Sequence, residues 1–302
     1  MIRAFNVFIQ KAHQVLFWGY SFIFICSCSK QIQPVHPGQN HNQPTTSNTV
    51  NIVSAMSCCN SLHAAAQDGH KNCITTALIN RRANVNQKDN HGNTPLHLAA
   101  QFGHKNSIEY LIKKGSNVNQ RNNNGRTPLH LAAQSGHLDC IEILIHKTFK
   151  INQKDNHGNT PLHLAALHGH AGCITALIIG EAKVNKQNNY KEAPLHLAAR
   201  YNRKNCINVL IRHRAKVKLL DNKGQTPLHL AAQFGHLDCI IALTNARADI
   251  DALDDDNQTS LHLAAAYGHA GCVRYLINKR HKEKLPNETD FFTYIWLHDL
   301  DI

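Results

Sequence analysis

The sequence predicts an all-α solenoid built from repeated pairs of helices, and three observations carry that prediction. A nine-residue pattern ending in Leu-His-Leu-Ala-Ala occurs six times, after one shorter copy. Apolar residues at helical spacing follow each copy, and turn-forming residues separate it from the next. The marker histidines of the copies are 34 residues apart once and then 33 residues apart five times: His63, His97, His130, His163, His196, His229 and His262. A fixed period of this size is typical of chains in which each unit packs only on its neighbours.

The copy at residues 92–124 shows why each unit is expected to form two helices. Thr94 is suited to cap a helix, and Pro95 to its first position, where a missing N–H leaves no bond unmade. Gly103 is expected to end this helix in a tight turn. The apolar spacing over 108–112 then predicts a second helix, and the Asn-rich stretch before Gly125 predicts a turn at the tip of a finger.

The words Thr-Pro-Leu-His at a 33-residue period resemble the ankyrin repeat. The resemblance covers about residues 55–285, as seven repeats, of which the first is expected to act as an N-terminal cap. It implies a helix-turn-helix unit with a β-hairpin finger in each repeat. Residues 31–54 are polar and without apolar periodicity, which predicts a disordered tether. Residues 286–302 contain a short apolar strip and are expected to form a C-terminal capping tail.

Residues 1–30 differ from the rest of the chain. An apolar run over 15–25 follows two basic residues and is too short to span a bilayer as a helix, but it has the length of a signal-peptide core. Cys28 follows it and is the candidate lipidation site, because the segment resembles a bacterial lipoprotein signal. Three interpretations stay open: a signal or lipoprotein leader, an uncleaved membrane-associating segment, and an apolar leader with no such role.

The formal charge of +12 raises the question of an anionic partner. The basic residues are scattered, however, and the densest runs, at 81–82 and 279–284, are short. No stripe of lysine and arginine alternates with stacking aromatic residues. We therefore expect a solvated surface and no nucleic-acid partner, with membrane contact confined to the N-terminal segment.

Twenty-three histidines raise the question of a metal site. Seven mark the repeats and six follow the glycine after a first helix, so thirteen belong to the repeat pattern. Equivalent atoms in successive repeats are too far apart for one zinc ion, whose histidine ligands lie about 2.0–2.1 Å from the metal. No HExxH motif and no set of paired CxxC motifs is present. We therefore expect structural histidines, no metal and no cofactor.

The cysteines follow the same pattern, because six of the ten lie ten residues after a marker histidine: Cys73, Cys140, Cys173, Cys206, Cys239 and Cys272. Helices of neighbouring repeats pack about 8–10 Å apart, beyond the ~7 Å limit between the Cα atoms of a disulfide. These six thiols are expected to be free, buried and reduced. A histidine–cysteine pair that recurs six times indicates architecture, since a catalytic dyad occurs once. With no phosphate loop or nucleophile elbow either, we expect no enzyme activity and no small-molecule substrate.

By resemblance to ankyrin proteins, a partner is met by the finger tips and the exposed ends of the first helices. One helix position forms what we call the groove row: Phe102, Ser135, His168, Tyr201, Phe234 and Tyr267. Its aromatic residues are either half-buried spacers or binding hot spots, and the contiguous set from Arg200 to Tyr267 favours hot spots. The candidate partner-binding residues are Asn90, His91, Asn93, Phe102, Arg126, His168, Tyr190, Glu192, Arg200, Tyr201, Lys223, Phe234, Asp255, Asp256 and Tyr267.

These observations predict a non-catalytic ankyrin-repeat protein that binds a protein or peptide through its concave groove and finger tips. The finger charge changes from basic near Arg121 to acidic at 254–256, which is expected to orient the partner. Repeat five departs most from the pattern and is the expected focus of binding. The alternative is a membrane-tethered, lipoprotein-like scaffold that positions partners at an envelope. The sequence leaves the compartment open.

Overall fold

The structure is a computed structural model that describes residues 61–79, 82–148 and 150–284. The leader with Cys28, the linker over 31–54 and the tail over 286–302 lie outside these ranges. The described residues form helices joined by turns, and none is in a β-strand or in a helix long and apolar enough to cross a membrane. The helices are α1 Leu62–Gln67, α2 Lys71–Ile79, α3 Pro95–Gln101, α4 Lys105–Lys113, α5 Pro128–Ser135, α6 Leu138–Lys147, α7 Pro161–His168, α8 Ala171–Ile179, α9 Pro194–Arg200, α10 Lys204–Arg212, α11 Pro227–Gln233, α12 Leu237–Asn245, α13 Ser260–Ala266 and α14 Ala270–Lys284.

The helices form two rows, one of odd-numbered first helices and one of even-numbered second helices. Each first helix packs on the first helices of adjacent repeats and on the second helix of its own repeat. In repeat two, Leu96, Ala99 and Ala100 of α3 and Ile108 and Leu111 of α4 are fully buried. Alanine permits the close approach of α3 to its neighbours, and each buried leucine or isoleucine contributes about 1.5–3 kcal/mol. The prediction of a helical repeat solenoid is confirmed.

A threonine starts the first helix in most repeats, as expected. Thr94 is the extended N-cap of α3, and Pro95 follows at the first helical position. Nδ1 of His97 accepts a hydrogen bond from the backbone N–H of Thr94 (3.1 Å) and lies 2.9 Å from its hydroxyl. The same pairing occurs at Thr127 and His130, Thr160 and His163, Thr226 and His229, and Thr259 and His262. In repeat five Ala193 has no hydroxyl, so His196 keeps only the backbone bond, at 3.1 Å.

In repeats one to six, the other nitrogen of the marker histidine joins one repeat to the next. Nε2 of His97 lies 3.1 Å from the carbonyl oxygen of Arg126, which is in the following finger. The same contact is made by His130 to Asn159 (3.2 Å), His163 to Glu192 (3.1 Å), His196 to Gln225 (3.3 Å) and His229 to Gln258 (3.1 Å). Because Nδ1 accepts and Nε2 faces an acceptor, the geometry assigns the neutral tautomer with its proton on Nε2.

A second set of histidines joins the turns between the helices. Gly103 has φ +81° after α3, and Nε2 of the next residue, His104, lies 2.6 Å from the carbonyl oxygen of Gln67 in repeat one. His137, His170, His236 and His269 make the equivalent contact at 2.9–3.0 Å. A Cβ at Gly103 would lie 2.6 Å from Nδ1 of His137. Glycine is therefore required here for space as well as for its backbone conformation.

Each finger is a tight turn closed by an aspartate or asparagine side chain. Oδ1 of Asp89 accepts hydrogen bonds from the backbone N–H groups of His91 (2.9 Å) and Asn93 (2.8 Å). Because those N–H groups are used within the turn, consecutive fingers share a single backbone bond at this tip, from Asn123 N–H to the carbonyl oxygen of His91 (3.0 Å). The β-hairpin expected for the finger is thus a series of turns without a β-strand.

The end of the second helix varies among repeats. Gly115 has φ +88° after α4, whereas Glu181, Arg214 and Arg247 adopt the same left-handed conformation with φ between 60° and 70°. A non-glycine residue in this conformation costs about 1–2 kcal/mol. In repeat seven the equivalent residue, Arg280, is helical and α14 continues to Lys284.

We expect Ala193→Thr to stabilise the array. The backbone of Ala193 (φ −86°, ψ 165°) matches that of Thr94 (φ −88°, ψ 165°), so a threonine hydroxyl would lie beside Nδ1 of His196. An N-cap hydroxyl raises the free energy of unfolding by about 1 kcal/mol, which urea unfolding measures. Thr226→Ala in repeat six is the matched control and should lower it by a similar amount. A loss of stability in Ala193→Thr would show that the hydroxyl does not fit.

Candidate interaction surface

Side-chain contacts show that the fingers and the ends of the first helices border one surface, which we call the groove face. In repeat three, Nη1 of Arg126 at the base of a finger donates to Oε1 of Gln134 at the end of α5 (2.7 Å). In repeat five, Glu192 at the base of a finger forms an ion pair with Arg200 at the end of α9. Residues at the finger tips and at the ends of the first helices can therefore contact one partner.

The groove row supplies large exposed side chains to this face. Phe102, Tyr201, Phe234 and Tyr267 are 46%, 47%, 42% and 45% exposed, although the first three follow directly on helices whose leucines and alanines are buried. His168 is also exposed. Tyr201, Phe234 and Tyr267 occupy the same position in three consecutive repeats, so these side chains form a continuous line.

The predicted finger-tip residues are exposed as well. Tyr190 is 51% exposed at the tip of repeat five. The side chains of the other tips lie on the surface at Asn90, His91, Lys223, Asp255 and Asp256. The tips therefore change from amides and histidine in repeat two to two carboxylates in repeat seven.

The remaining candidates lie at the base of the fingers and are used within the array. Glu192 is only 5% exposed and is paired with Arg200, which is itself half-buried. Arg126 contacts Asp155 of the next finger (3.4 Å), and Asn93 accepts a hydrogen bond from the side chain of Asn122 (2.8 Å). Arg126 and Asn93 thus hold adjacent fingers together, and Glu192 joins its finger to the end of α9. Their part in contacting a partner is secondary to these roles.

Two exposed residues of the fingers were not singled out from the sequence. Leu220 and Leu253 begin the fingers of repeats six and seven, and they are 48% and 55% exposed. Lys88, Arg121 and Lys154 occupy the same position in repeats two to four. The signal is visible at the 33-residue spacing, as a change from basic to apolar residues at a single repeat position.

The architecture corresponds to a known family model. The model described as ankyrin repeats matches five overlapping stretches, residues 40–122, 114–188, 151–221, 171–254 and 195–290, which together cover more than half of the chain. The chain belongs to the ankyrin-repeat family. It is also similar to the crystal structure of the human ASB11 ankyrin repeat domain, with a TM-score of 0.67 and 28% identity, over 76% of this chain and 100% of that one. No curated protein matches the sequence.

Membership of this family agrees with the exposed groove face. Ankyrin repeats are generally modules for protein–protein interaction, and the fold is typically non-catalytic. The variable, exposed residues of this chain lie on the fingers and helix ends, while the recurring residues are buried between repeats. The family therefore directs attention to the groove face rather than to the recurring histidines.

In repeats two to five, the marker histidines of this ankyrin-repeat array are held in the neutral form. Burial lowers the pKa of His97, His130, His163 and His196 from 6.5 to about 4. A protonated ring would carry a proton on Nδ1, where the ring now accepts a hydrogen bond. Their arrangement is that of structural hydrogen-bonding groups.

The repeated cysteines are held as thiols. Burial raises the pKa of Cys140, Cys173 and Cys206 to about 11 and that of Cys239 to about 12. The six cysteines of the described ranges are free of disulfides, and five of them are buried, Cys73 being half-buried. A thiol that stays protonated at neutral pH is a weak nucleophile.

Two observations on the described residues bear on metal ions and small molecules. In these ranges no three histidine, cysteine, aspartate or glutamate side chains come together as metal ligands. One cavity lies near the C-terminal end of the described array, and five of its seven lining residues are charged: Lys218, Arg247, Asp249, Asp251 and Arg280. Arg280 pairs with Asp251 across it (2.7 Å), and small-molecule sites are mostly apolar.

We expect the array to lose stability as the pH falls from about 6.5 to 4. In this window the unfolded chain binds protons at His97, His130, His163 and His196 that the folded chain does not bind. The contribution is fully present above pH 6.5 and declines by up to about 1.4 kcal/mol per pH unit for each histidine. Urea unfolding at pH 7, 6 and 5 measures this dependence.

The matched control for this pH dependence is His91→Asn, which changes an exposed fingertip histidine to the residue found at Asn124 in the next repeat. It should leave the pH dependence of the urea midpoint unchanged. Equal midpoints for the unaltered chain at pH 7 and pH 5 would contradict the assignment of neutral, buried histidines.

Proposed function

We propose that this chain is a non-catalytic binding protein whose groove face holds another protein or a peptide. The observation that carries the proposal is the line formed by Tyr201, Phe234 and Tyr267. Each is 42–47% exposed at the same position of consecutive repeats, beside Arg200. Tyrosine and arginine are enriched among the residues that dominate binding energies at protein interfaces.

The neighbouring residues support this assignment because they fix the exposed ones in place. Gln233 donates a hydrogen bond to the hydroxyl of Tyr267 (3.1 Å), and the ring of Phe234 is stacked on His236 with centroids 6.2 Å apart. His236 is in turn bonded to the carbonyl oxygen of Arg200 (2.9 Å). A surface that is already ordered loses less side-chain entropy on binding.

The test uses the full chain with the triple substitution Tyr201→Ala, Phe234→Ala and Tyr267→Ala. Partners recovered by affinity capture should fall at least about tenfold, because truncating hot-spot residues costs more than ~1 kcal/mol each. The three side chains are exposed, so the thermal unfolding midpoint should change little, which circular dichroism checks. Unchanged recovery of partners would count against the groove face.

A second measurement locates the contact directly. A photo-crosslinking phenylalanine analogue at Phe234 should form adducts with the partner, whereas the same analogue at Ile179 should not. Ile179 is the matched control because it is 76% exposed but ends a second helix, α8, away from the groove row. Adducts from Ile179 alone would place the partner on another surface.

We also propose a location for the array, held at a membrane through residues 1–30. The supporting observation is the apolar run over 15–25 followed by Cys28. If Cys28 is lipidated after cleavage of the leader, radioactive palmitate is incorporated and the mature chain begins at Cys28. Cys28→Ser is the control and should abolish incorporation. A chain that keeps Met1 and an unmodified Cys28 in its native cell would remove this proposal without affecting the groove face.

A further inference from the structure

The exposed apolar side chains of the groove face are concentrated in repeats five to seven. We compare the repeats at three positions: the first residue of the finger, the tip residue equivalent to Tyr190, and the groove row. In repeats five to seven, six of the nine residues at these positions are large and apolar or aromatic, and they are 42–55% exposed. We call these six residues the C-terminal patch: Tyr190, Tyr201, Leu220, Phe234, Leu253 and Tyr267. In repeats two to four, Phe102 is the one such residue among the nine. Contiguous exposed apolar surface marks an interaction site.

The spacing of the C-terminal patch suits an extended chain. Packed helices of neighbouring repeats are about 8–10 Å apart, and an extended chain in the polyproline II conformation advances about 3.1 Å per residue with three residues per turn. Every third residue of such a segment therefore faces the patch and meets the next repeat. Three repeats would contact a segment of about seven to nine residues.

The negative charge at the repeat-seven end of the C-terminal patch arises where an aspartate replaces an asparagine that recurs in the preceding fingers. The side-chain amide of Asn123 donates to the carbonyl oxygen of Asn90 in the previous finger (3.1 Å). The amides of Asn156 and Asn189 repeat this bond at 2.9 and 3.1 Å. At the same position in repeat seven the residue is Asp255, whose carboxylate has no proton to donate.

The carboxylate of Asp255 is oriented as the asparagines are. A Cβ placed on Gly224 would lie 2.4 Å from Oδ1 of Asp255, and a Cβ placed on Gly92 would lie 2.4 Å from Oδ1 of Asn123. In that orientation the second carboxylate oxygen corresponds to the amide nitrogen that bonds to the previous finger in repeats three to five. Because this oxygen cannot donate, we infer that a donor from outside the array would satisfy it.

Asp256 adds a second carboxylate at the tip of the same finger. Both aspartates are exposed, and within the described residues no cation is within ion-pair distance of either. At the tip of repeat six, by contrast, Lys223 disfavours a second cation. The charges of the groove face thus select a cationic side chain at repeat seven.

We propose that the C-terminal patch binds an extended segment of a partner protein that carries apolar side chains at about every third residue and a lysine or arginine at one end. The apolar side chains pack on Tyr201, Phe234 and Tyr267, and the cation donates to Asp255 and Asp256. This proposal rests on the proposed binding function of the groove face and names the chemistry of its partner.

The test selects phage-displayed random twelve-residue peptides on the immobilised full chain. Enriched peptides should carry apolar residues at a three-residue spacing with lysine or arginine at one end. The double variant Asp255→Asn, Asp256→Asn should keep the apolar preference and lose the basic one. Because asparagine occupies the position of Asp255 in five other repeats, that change preserves the finger.

Two further variants separate the patch from the rest of the exposed surface. Tyr201→Ala with Phe234→Ala and Tyr267→Ala should abolish the enrichment, whereas Ile179→Ala at the exposed end of α8 should leave it unchanged. For one selected peptide, the double aspartate variant should weaken binding about fivefold and reduce its salt dependence.

Three results would overturn the proposal. Enriched peptides without basic residues, or with the same basic residues on the double aspartate variant, would remove the role of Asp255 and Asp256. No enrichment on the unaltered chain would exclude an extended segment as the occupant. Photo-crosslinking from Phe234 distinguishes failure of the peptide proposal from failure of the proposed binding function. A folded partner that binds the groove face would still form adducts at Phe234 even if no peptide is enriched.

Discussion

In repeats two to six, the marker histidine joins two repeats through hydrogen bonds that a neutral imidazole makes at both nitrogens. In repeat two, Nδ1 of His97 accepts the N–H of Thr94 at the start of its own helix, while Nε2 meets the carbonyl oxygen of Arg126 in the next finger. One ring therefore fixes the start of a helix and the position of the following finger. Since this pair of hydrogen bonds recurs in repeats two to six, the same contact sets the distance from the start of each of these first helices to the following finger.

This constraint decides which residues are available for binding. The base of each finger lies beside the histidine contact, and its side chains bond to the next finger, as Arg126 does to Asp155 and Gln225 to Asp254. The second residue of each tip, such as His91, Tyr190 or Lys223, and the groove row supply no side chain to these contacts at the finger base. They can therefore vary from repeat to repeat without altering those bonds.

The repeated elements could be predicted from the sequence because each depends on local chemistry. Thr94 with Pro95 starts a helix and Gly103 ends it, in the structure as in the prediction. The burial of Glu192 could not be predicted, because it depends on Arg200, eight residues away, reaching back across the groove face. The finger turns were predicted, but the lack of β-strands beside them in the described fingers was not, because aspartate and asparagine side chains use the N–H groups that a β-hairpin would need.

Repeat five shows why departure from the repeated pattern is weak evidence for a binding site. Arg203 replaces the histidine of the turn, yet its Nε donates to the carbonyl oxygen of Leu167 (3.1 Å), as the histidines contact theirs. Asn202 replaces the glycine and adopts φ +57°.

These substitutions in repeat five preserve the array by other means, so they carry no information about a partner. Tyr201 does carry such information, because it is 47% exposed and its side chain is not needed for the bonds of the turn. The same distinction applies to Asp255, where an asparagine that bonded two fingers has been exchanged for a carboxylate that cannot. A residue that gives up a bond within the array and stays exposed is better evidence of recognition than one that merely differs.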